Sequence, residues 1–255
     1  MTLSMQRVET PQGASLAYRR REGPGPLVVF SHPHSVDQGL FDDLLRHWHG
    51  NALCWDRQGY GASTKGRSSA RQEQDLAAIL NHIGAQKMVL FGLAAGGAVS
   101  LAFAQKWPDR VAGLVLVSSF LGQPASFWQE KTGEAPPHGD AAERELSAGF
   151  RASPAAAQWR RRQAHLEETG AGEPPQAVNI TLDAPPGIPL FLATGAEDRL
   201  FTPAMLKVAA HTMPAASCEV LPGVAHAAPA EDPGATADYL TRCLAVIAAG
   251  RSIPR

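Results

Sequence analysis

The octapeptide Leu90-Phe91-Gly92-Leu93-Ala94-Ala95-Gly96-Gly97 narrows the possible folds more than any other stretch of this chain. An apolar run, 87–92, ends in a turn of small residues, and a helical pattern follows over 98–106, closed by Trp107-Pro108. A strand that turns directly into a helix is the first half of a βαβ unit, whose strands lie parallel. The turn is sharp, so the residues beside its centre must be small. Two other glycine-rich turns share this context and fit poorly. The spacing G-x-x-x-G-G is not the G-x-G-x-x-G of a dinucleotide fold, and no Lys-Ser/Thr follows as in a phosphate-binding loop.

The rest of the chain repeats the alternation. Segments 5–9 and 14–20 predict a hairpin across Pro11-Gln12-Gly13. Short apolar runs at 26–31, 52–56, 111–117, 188–194 and 217–221 predict strands buried on both faces. Leu76, Ile79, Leu80 and Ile83 fall at i, i+3, i+4 and i+7, one face of a helix. Segments 203–211 and 234–249 predict two more helices. The expected fold class is α/β, a mostly parallel sheet flanked by helices. From 120 to 186 no core strand is evident; a helix at 158–163 and a loop at 170–175 fall there. Phe120, Phe127, Trp128, Phe150 and Trp159 supply apolar anchors, which argues against a disordered linker. The expectation is a helical cap, 120–186, inserted after the sixth strand of a core formed by 1–119 and 187–255.

Gly92-x-Ala94-x-Gly96 is the frame of a nucleophile elbow, G-x-S-x-G, without the hydroxyl. Gly195-Ala196-Glu197-Asp198 follows one later strand and Gly223-Val224-Ala225-His226 follows the last. Phe30-Ser31-His32-Pro33-His34-Ser35 leaves an early strand, and Asp56-Arg57-Gln58-Gly59-Tyr60-Gly61-Ala62-Ser63 leaves the next. On these segments the chain resembles the α/β-hydrolase fold superfamily from about residue 13 to residue 249. The resemblance implies Ala94 at the nucleophile position, Asp198 as triad acid and His226 as base, in the family's chain order. Asp198 would fix the imidazole tautomer and leave the other nitrogen as base. The backbone N–H groups of His34 and Ala95 would form the oxyanion hole. Pro33, which has no N–H, stands where the family has glycine, and the donor at His34 is intact. The D-x-x-G-x-G-x-S loop at 56–63 would brace the site. Substrate contacts are expected from His32, Ser35, Ser119, Phe127, Trp128 and Trp159, although core packing is the commoner fate of such aromatics. The His34 side chain has two destinations open to it, the pocket or solvent.

Composition bounds the partners. A net charge of −1 creates no field for nucleic acid or an anionic membrane. Cys54, Cys218 and Cys243 make neither a disulfide framework nor a metal-ligand pair. The remaining histidines show no ligand spacing, so no metal and no cofactor are expected. The N-terminus lacks an apolar leader and no run approaches the ~20 residues of a membrane span, so a cytoplasmic monomer or homodimer with a small-molecule substrate is expected.

An alanine methyl cannot attack a carbonyl, and losing a serine nucleophile costs on the order of 10⁶ in turnover. Three readings follow: a hydrolase of a small, partly apolar ester, lactone or thioester with its nucleophile replaced, by nature or by design; a lyase or cyclase that uses His226 and Asp198 as a general base; or a non-catalytic ligand-binding protein. The oriented Asp–His pair argues against the last, since a binder needs no base.

Overall fold

The computed structural model describes residues 4–65, 72–168, 182, 185–213 and 216–250. Strands β1 (Ser4–Glu9) and β2 (Ser15–Arg21) form the expected antiparallel hairpin. The others are β3 (Val28–Ser31), β4 (Ala52–Trp55), β5 (Met88–Leu93), β6 (Val111–Val117), β7 (Leu190–Gly195) and β8 (Ala216–Leu221). They assemble into an eight-stranded sheet in the order β1-β2-β4-β3-β5-β6-β7-β8. Every pairing from β4 to β8 is parallel.

The continuous apolar runs have a direct cause: both faces of the sheet are covered. Side chains alternate between the faces along each strand. Val29, Leu53, Leu90, Leu114 and Leu192 enter one core with Leu76 and Ile79 of α2 (Gln72–His82), Phe103 of α3 (Ala95–Lys106) and Leu206 of α8 (Pro203–Thr212). Val28, Phe30, Phe91, Val115 and Phe191 enter the other with Leu44 of α1 (Asp42–His47) and Leu240 of α10 (Pro233–Ala248). Burying each such side chain contributes about 1.5–3 kcal/mol. Cys54 and Cys243 are buried in the second core, and Cys218 is exposed on β8.

Among the described residues, four helices lie between β6 and β7: α4 (Ala125–Thr132), α5 (Ala141–Glu145), α6 (Ala148–Ala152) and α7 (Ala156–Glu168). Asp140 and Glu143 close a capping box on α5, which makes so short a helix tenable. The expected loop at 170–175 lies outside the described residues. The short α9 (Ala228–Glu231) precedes α10. Helix α3 starts three residues before its sequence pattern, because Gly96 and Gly97 disguise its first turn. Helix α1, at six residues, is too short to show a period. Among the described residues no helix is long and apolar enough to cross a membrane.

Candidate active site

Ala94 sits between β5 and α3 with φ 48° and ψ −115°, a backbone that a non-glycine residue adopts only under constraint. The constraints are visible. Its N–H donates to Val117 C=O at 3.0 Å, and its own carbonyl accepts from Ser119 Oγ at 2.9 Å and Gly97 N–H at 3.0 Å. A Cβ on Gly92 would come within 2.4 Å of Gly97 Cα, and one on Gly96 within 2.0 Å of Ser31 C=O. The small flanking residues are therefore obligatory. Ala95, the first residue of α3, presents one of the helix's unpaired N–H groups.

Asp198 follows β7 and His226 follows β8, and the parallel register of those strands brings the two loops together. His226 Nδ1 lies 3.0 Å from Asp198 Oδ2 and 3.1 Å from Oδ1, with both side chains buried. Oδ1 also accepts the N–H groups of Leu200 (2.8 Å) and Phe201 (2.9 Å), and Thr194 Oγ1 is 2.9 Å from Oδ2. Burial alone would push the Asp198 carboxyl up; the imidazolium charge and the hydrogen bonds from His226 and Phe201 outweigh it and hold the group below its ordinary value. Burial likewise works against charge on His226, but Asp198, then Glu145 and Glu231, win and raise its proton affinity.

The loop after β3 is fixed from beneath. His32 is fully buried; its Nε2 accepts the Arg57 N–H at 3.0 Å and its Nδ1 lies 2.7 Å from Pro33 C=O. The same carbonyl accepts Arg57 Nη2 at 2.7 Å. Desolvation, then the neighbouring Arg57 charge, drives the His32 pKa well down, so it stays neutral. The expected substrate contact by His32 is thus corrected: both ring nitrogens are occupied in bracing the loop. Pro33 is tolerated because its carbonyl, not an N–H, is what the brace uses. His34 Nδ1 meets the Tyr60 hydroxyl, and the rings stack edge to face. Asp56 braces the same region by accepting from Gln38 N–H, Gln38 Nε2 and Ala62 N–H. Gly61, at φ 50°, is needed there, since a Cβ would lie 2.4 Å from Asp56 Oδ2.

The remaining expected contacts divide. Ser119 is turned inward: its hydroxyl donates to Ala94 C=O and accepts Leu121 N–H, so it supports the elbow rather than a ligand. Trp128 has no exposed surface, packs against Phe127 and Phe201, and donates Nε1–H to Phe120 C=O at 3.3 Å; it is core. Phe127 packs partly buried on that same core. Trp159 joins the opposite core, the one that includes Ala94, and its buried Nε1–H has no hydrogen-bond partner among the described residues. Ser35 Oγ donates to Glu145 Oε2 at 2.5 Å. Glu145 is the residue the sequence reading missed: it lies in a polar stretch, Glu143-Arg144-Glu145, and no motif marks it. Among the described residues no group of three or more His, Cys, Asp or Glu side chains could hold a metal ion.

Residues 31–167, just over half of the chain, match the family described as alpha/beta hydrolase fold. The chain belongs to that family, and so to a class of enzymes. Among solved structures, a thermophilic esterase from Thermogutta terrifontis is similar with a TM-score of 0.73 at 23% identity, over 95% of this chain and 99% of that one. A hydrolase from Pseudomonas aeruginosa PA01 gives 0.72 at 24% identity, over 94% and 98%. An enol-lactonase from Burkholderia xenovorans LB400 gives 0.72 at 20% identity, over 91% and 97%. At these identities the likeness is one of fold.

Proposed function

We propose that this chain carries the framework of an esterase or lactonase for a small, partly apolar substrate, with Ala94 where the acylated serine would stand. The observation that carries the reading is the buried Asp198–His226 pair, joined at 3.0 Å on loops that leave the same edge of the parallel sheet as the strained, hydrogen-bonded turn at Ala94. Esterase and lactonase neighbours of the same fold support the substrate class. In this reading α4–α7 form a cap over the C-terminal edge of the sheet, where open α/β sheets place ligands. Trp159, whose indole N–H has no partner among the described residues, would offer it to a polar atom of the ligand.

The chemistry of the complete framework follows from that reading. A serine hydroxyl at position 94 would attack the ester carbonyl carbon and pass its proton to His226 Nε2. Collapse would break the acyl–oxygen bond and return that proton to the leaving alkoxide, after which water would repeat the cycle on the acyl-enzyme. The His34 and Ala95 N–H groups would hold the oxyanion. With a methyl at 94 this chain performs no acyl transfer. A second reading draws on one specific observation: the buried His226–Asp198 pair is intact, at 3.0 Å, in a chain with alanine at position 94. In that reading His226 takes a proton directly from the ligand, in an elimination or cyclisation.

The test is Ala94→Ser. It should confer hydrolysis of simple nitrophenyl esters and labelling by a fluorophosphonate, with a gain of roughly 10³–10⁶ over the parent. A folded Ala94→Ser protein that stays unlabelled removes the framework reading. Turnover of a substrate by the parent that His226→Ala abolishes would favour the second.

A further inference from the structure

The end of α5 touches three of the loops that carry the site, those of Ser35, Asp198 and His226. Glu145 C=O accepts the N–H groups of His226 at 3.0 Å and Ala227 at 3.2 Å. Its carboxylate accepts Ser35 Oγ, one residue beyond the oxyanion donor His34. Arg199, next to Asp198, donates to Glu143 C=O at 3.2 Å. Ser147 N–H donates to Glu231 Oε2 at 3.1 Å, and Glu231 Oε1 accepts Ala225 N–H at 3.2 Å, which clamps the same segment to the loop of His226. A helix that served only as a cover would need none of this.

We propose that Glu145 is a positioning residue acting through His226: its main-chain carbonyl sets the imidazole loop, its carboxylate anchors Ser35, and its charge stabilises the imidazolium that forms when His226 takes a proton. The proposal rests on reading His226 as the base. The charged and titratable groups around the imidazole are Asp198 from the β7–α8 loop, Glu145 from α5 and Glu231 from α9. Around the Glu145 carboxyl stand His226, Ser35, Arg144 and Asp198. Of the three carboxylates beside the imidazole, Asp198 makes the hydrogen bond, and Glu145 acts through space. Burial raises the Glu145 pKa, and the His226 charge opposes that rise. Each group therefore favours the charged form of the other, and the coupling is reciprocal.

The experiment is an NMR titration of the His226 imidazole in the Ala94 protein, which needs no turnover. Glu145→Gln keeps an acceptor for Ser35 and the main-chain carbonyl but removes the charge. It should lower the His226 midpoint by about one pH unit, a tenfold loss of proton affinity. Ser35→Ala, which leaves the charge in place, should move it far less. On the Ala94→Ser background, Glu145→Gln should lower kcat with little change in KM and shift the acidic limb of the pH profile downward; Glu145→Asp should restore that limb in part. An unchanged His226 midpoint in folded Glu145→Gln overturns the proposal. Should that variant not fold, His226→Gln serves from the other side. The Glu145 carboxyl, followed by ¹³C NMR, must then titrate at higher pH, and an unmoved carboxyl refutes the coupling. A shifted midpoint beside an inactive Ala94→Ser would keep this inference and remove the hydrolase reading.

Discussion

Asp198→Asn removes one charge and turns one acceptor into a donor, and the contacts of the carboxylate decide the outcome. Oδ1 accepts Leu200 N–H at 2.8 Å and Phe201 N–H at 2.9 Å. The amide oxygen must stay there, so the amide nitrogen takes the place of Oδ2, facing Thr194 Oγ1 and His226 Nδ1. Thr194 can give its single proton to Phe201 C=O, 2.5 Å away, and accept one N–H from the new amide. The other amide proton then points at His226 Nδ1, which must be the unprotonated nitrogen. The tautomer inverts, and Nε2 carries the proton it was meant to receive. A charge-assisted hydrogen bond of about 1.5–3 kcal/mol gives way to a neutral one of about 1, so stability falls by about 0.5–2 kcal/mol. Catalysis on the Ala94→Ser background should fall by about 10⁴, roughly 5.5 kcal/mol of barrier. The pH dependence checks the same reasoning. The lowered Asp198 stabilises the fold above the ordinary carboxylate range and loses that effect on acidification; the raised His226 stabilises it below about 6.5 and loses that effect as pH rises. The pair's contribution is therefore full between about pH 4 and 6.5, and Asp198→Asn should flatten both flanks of a plot of Tm against pH. Imidazole ¹⁵N shifts read the tautomer directly. If Nδ1 stays protonated in the variant, or activity on the Ala94→Ser background falls less than tenfold, Asp198 does not set the tautomer.

Two further predictions concern the frame. Burial raises the Asp75 carboxyl to about 7; stability is full below the ordinary carboxylate value and is lost as pH climbs through about 7. Asp75→Asn should thus leave the melting point near pH 4 unchanged and raise stability at pH 8, by at most about 4 kcal/mol. No gain at pH 8 would show that Gln58, 3.1 Å away, already compensates the charge. Gly97→Ala places a Cβ 2.4 Å from Ser119 Oγ, and denaturant unfolding should show a loss of about 1–3 kcal/mol. Adding Ser119→Gly should recover part of that loss, and strict additivity would disprove the contact.

What the sequence made legible follows from where each constraint acts. Strands covered on both faces must be apolar throughout, so β3, β4, β5 and β6 announce themselves as runs such as Val28–Ser31 and Val111–Val117. The tight strand-to-helix turn at 92–97 was legible for a steric reason, since three of its positions have no room for a Cβ. The two Trp residues of the insertion were not separable. Trp128 and Trp159 carry the same side chain in the same polar context, and topology sends one to each face of the sheet. His32 was misread because the partner that claims it, the Arg57 N–H, is 25 positions away. Glu145 escaped entirely: its bond to Ser35 spans 110 positions and its other contacts run through the main chain, which side-chain identity does not encode.

The distribution of cost within the site bears on which reading is right. A non-glycine residue held at positive φ costs on the order of 1–3 kcal/mol, and Ala94, Ser118 and Leu121 are all held so, around the ends of β5 and β6. Asp198 and Glu145 add buried carboxyls, whose desolvation is unfavourable in itself. A receptor pocket gains nothing from a strained turn at an alanine, nor from burying carboxylates whose charge favours one imidazolium. A site that presents a side chain to a base, and stabilises that base when charged, gains from all of it. The features that are costly to fold are present, and under the proposed reading a single oxygen on the Ala94 Cβ is what an acyl-transferring chain would add.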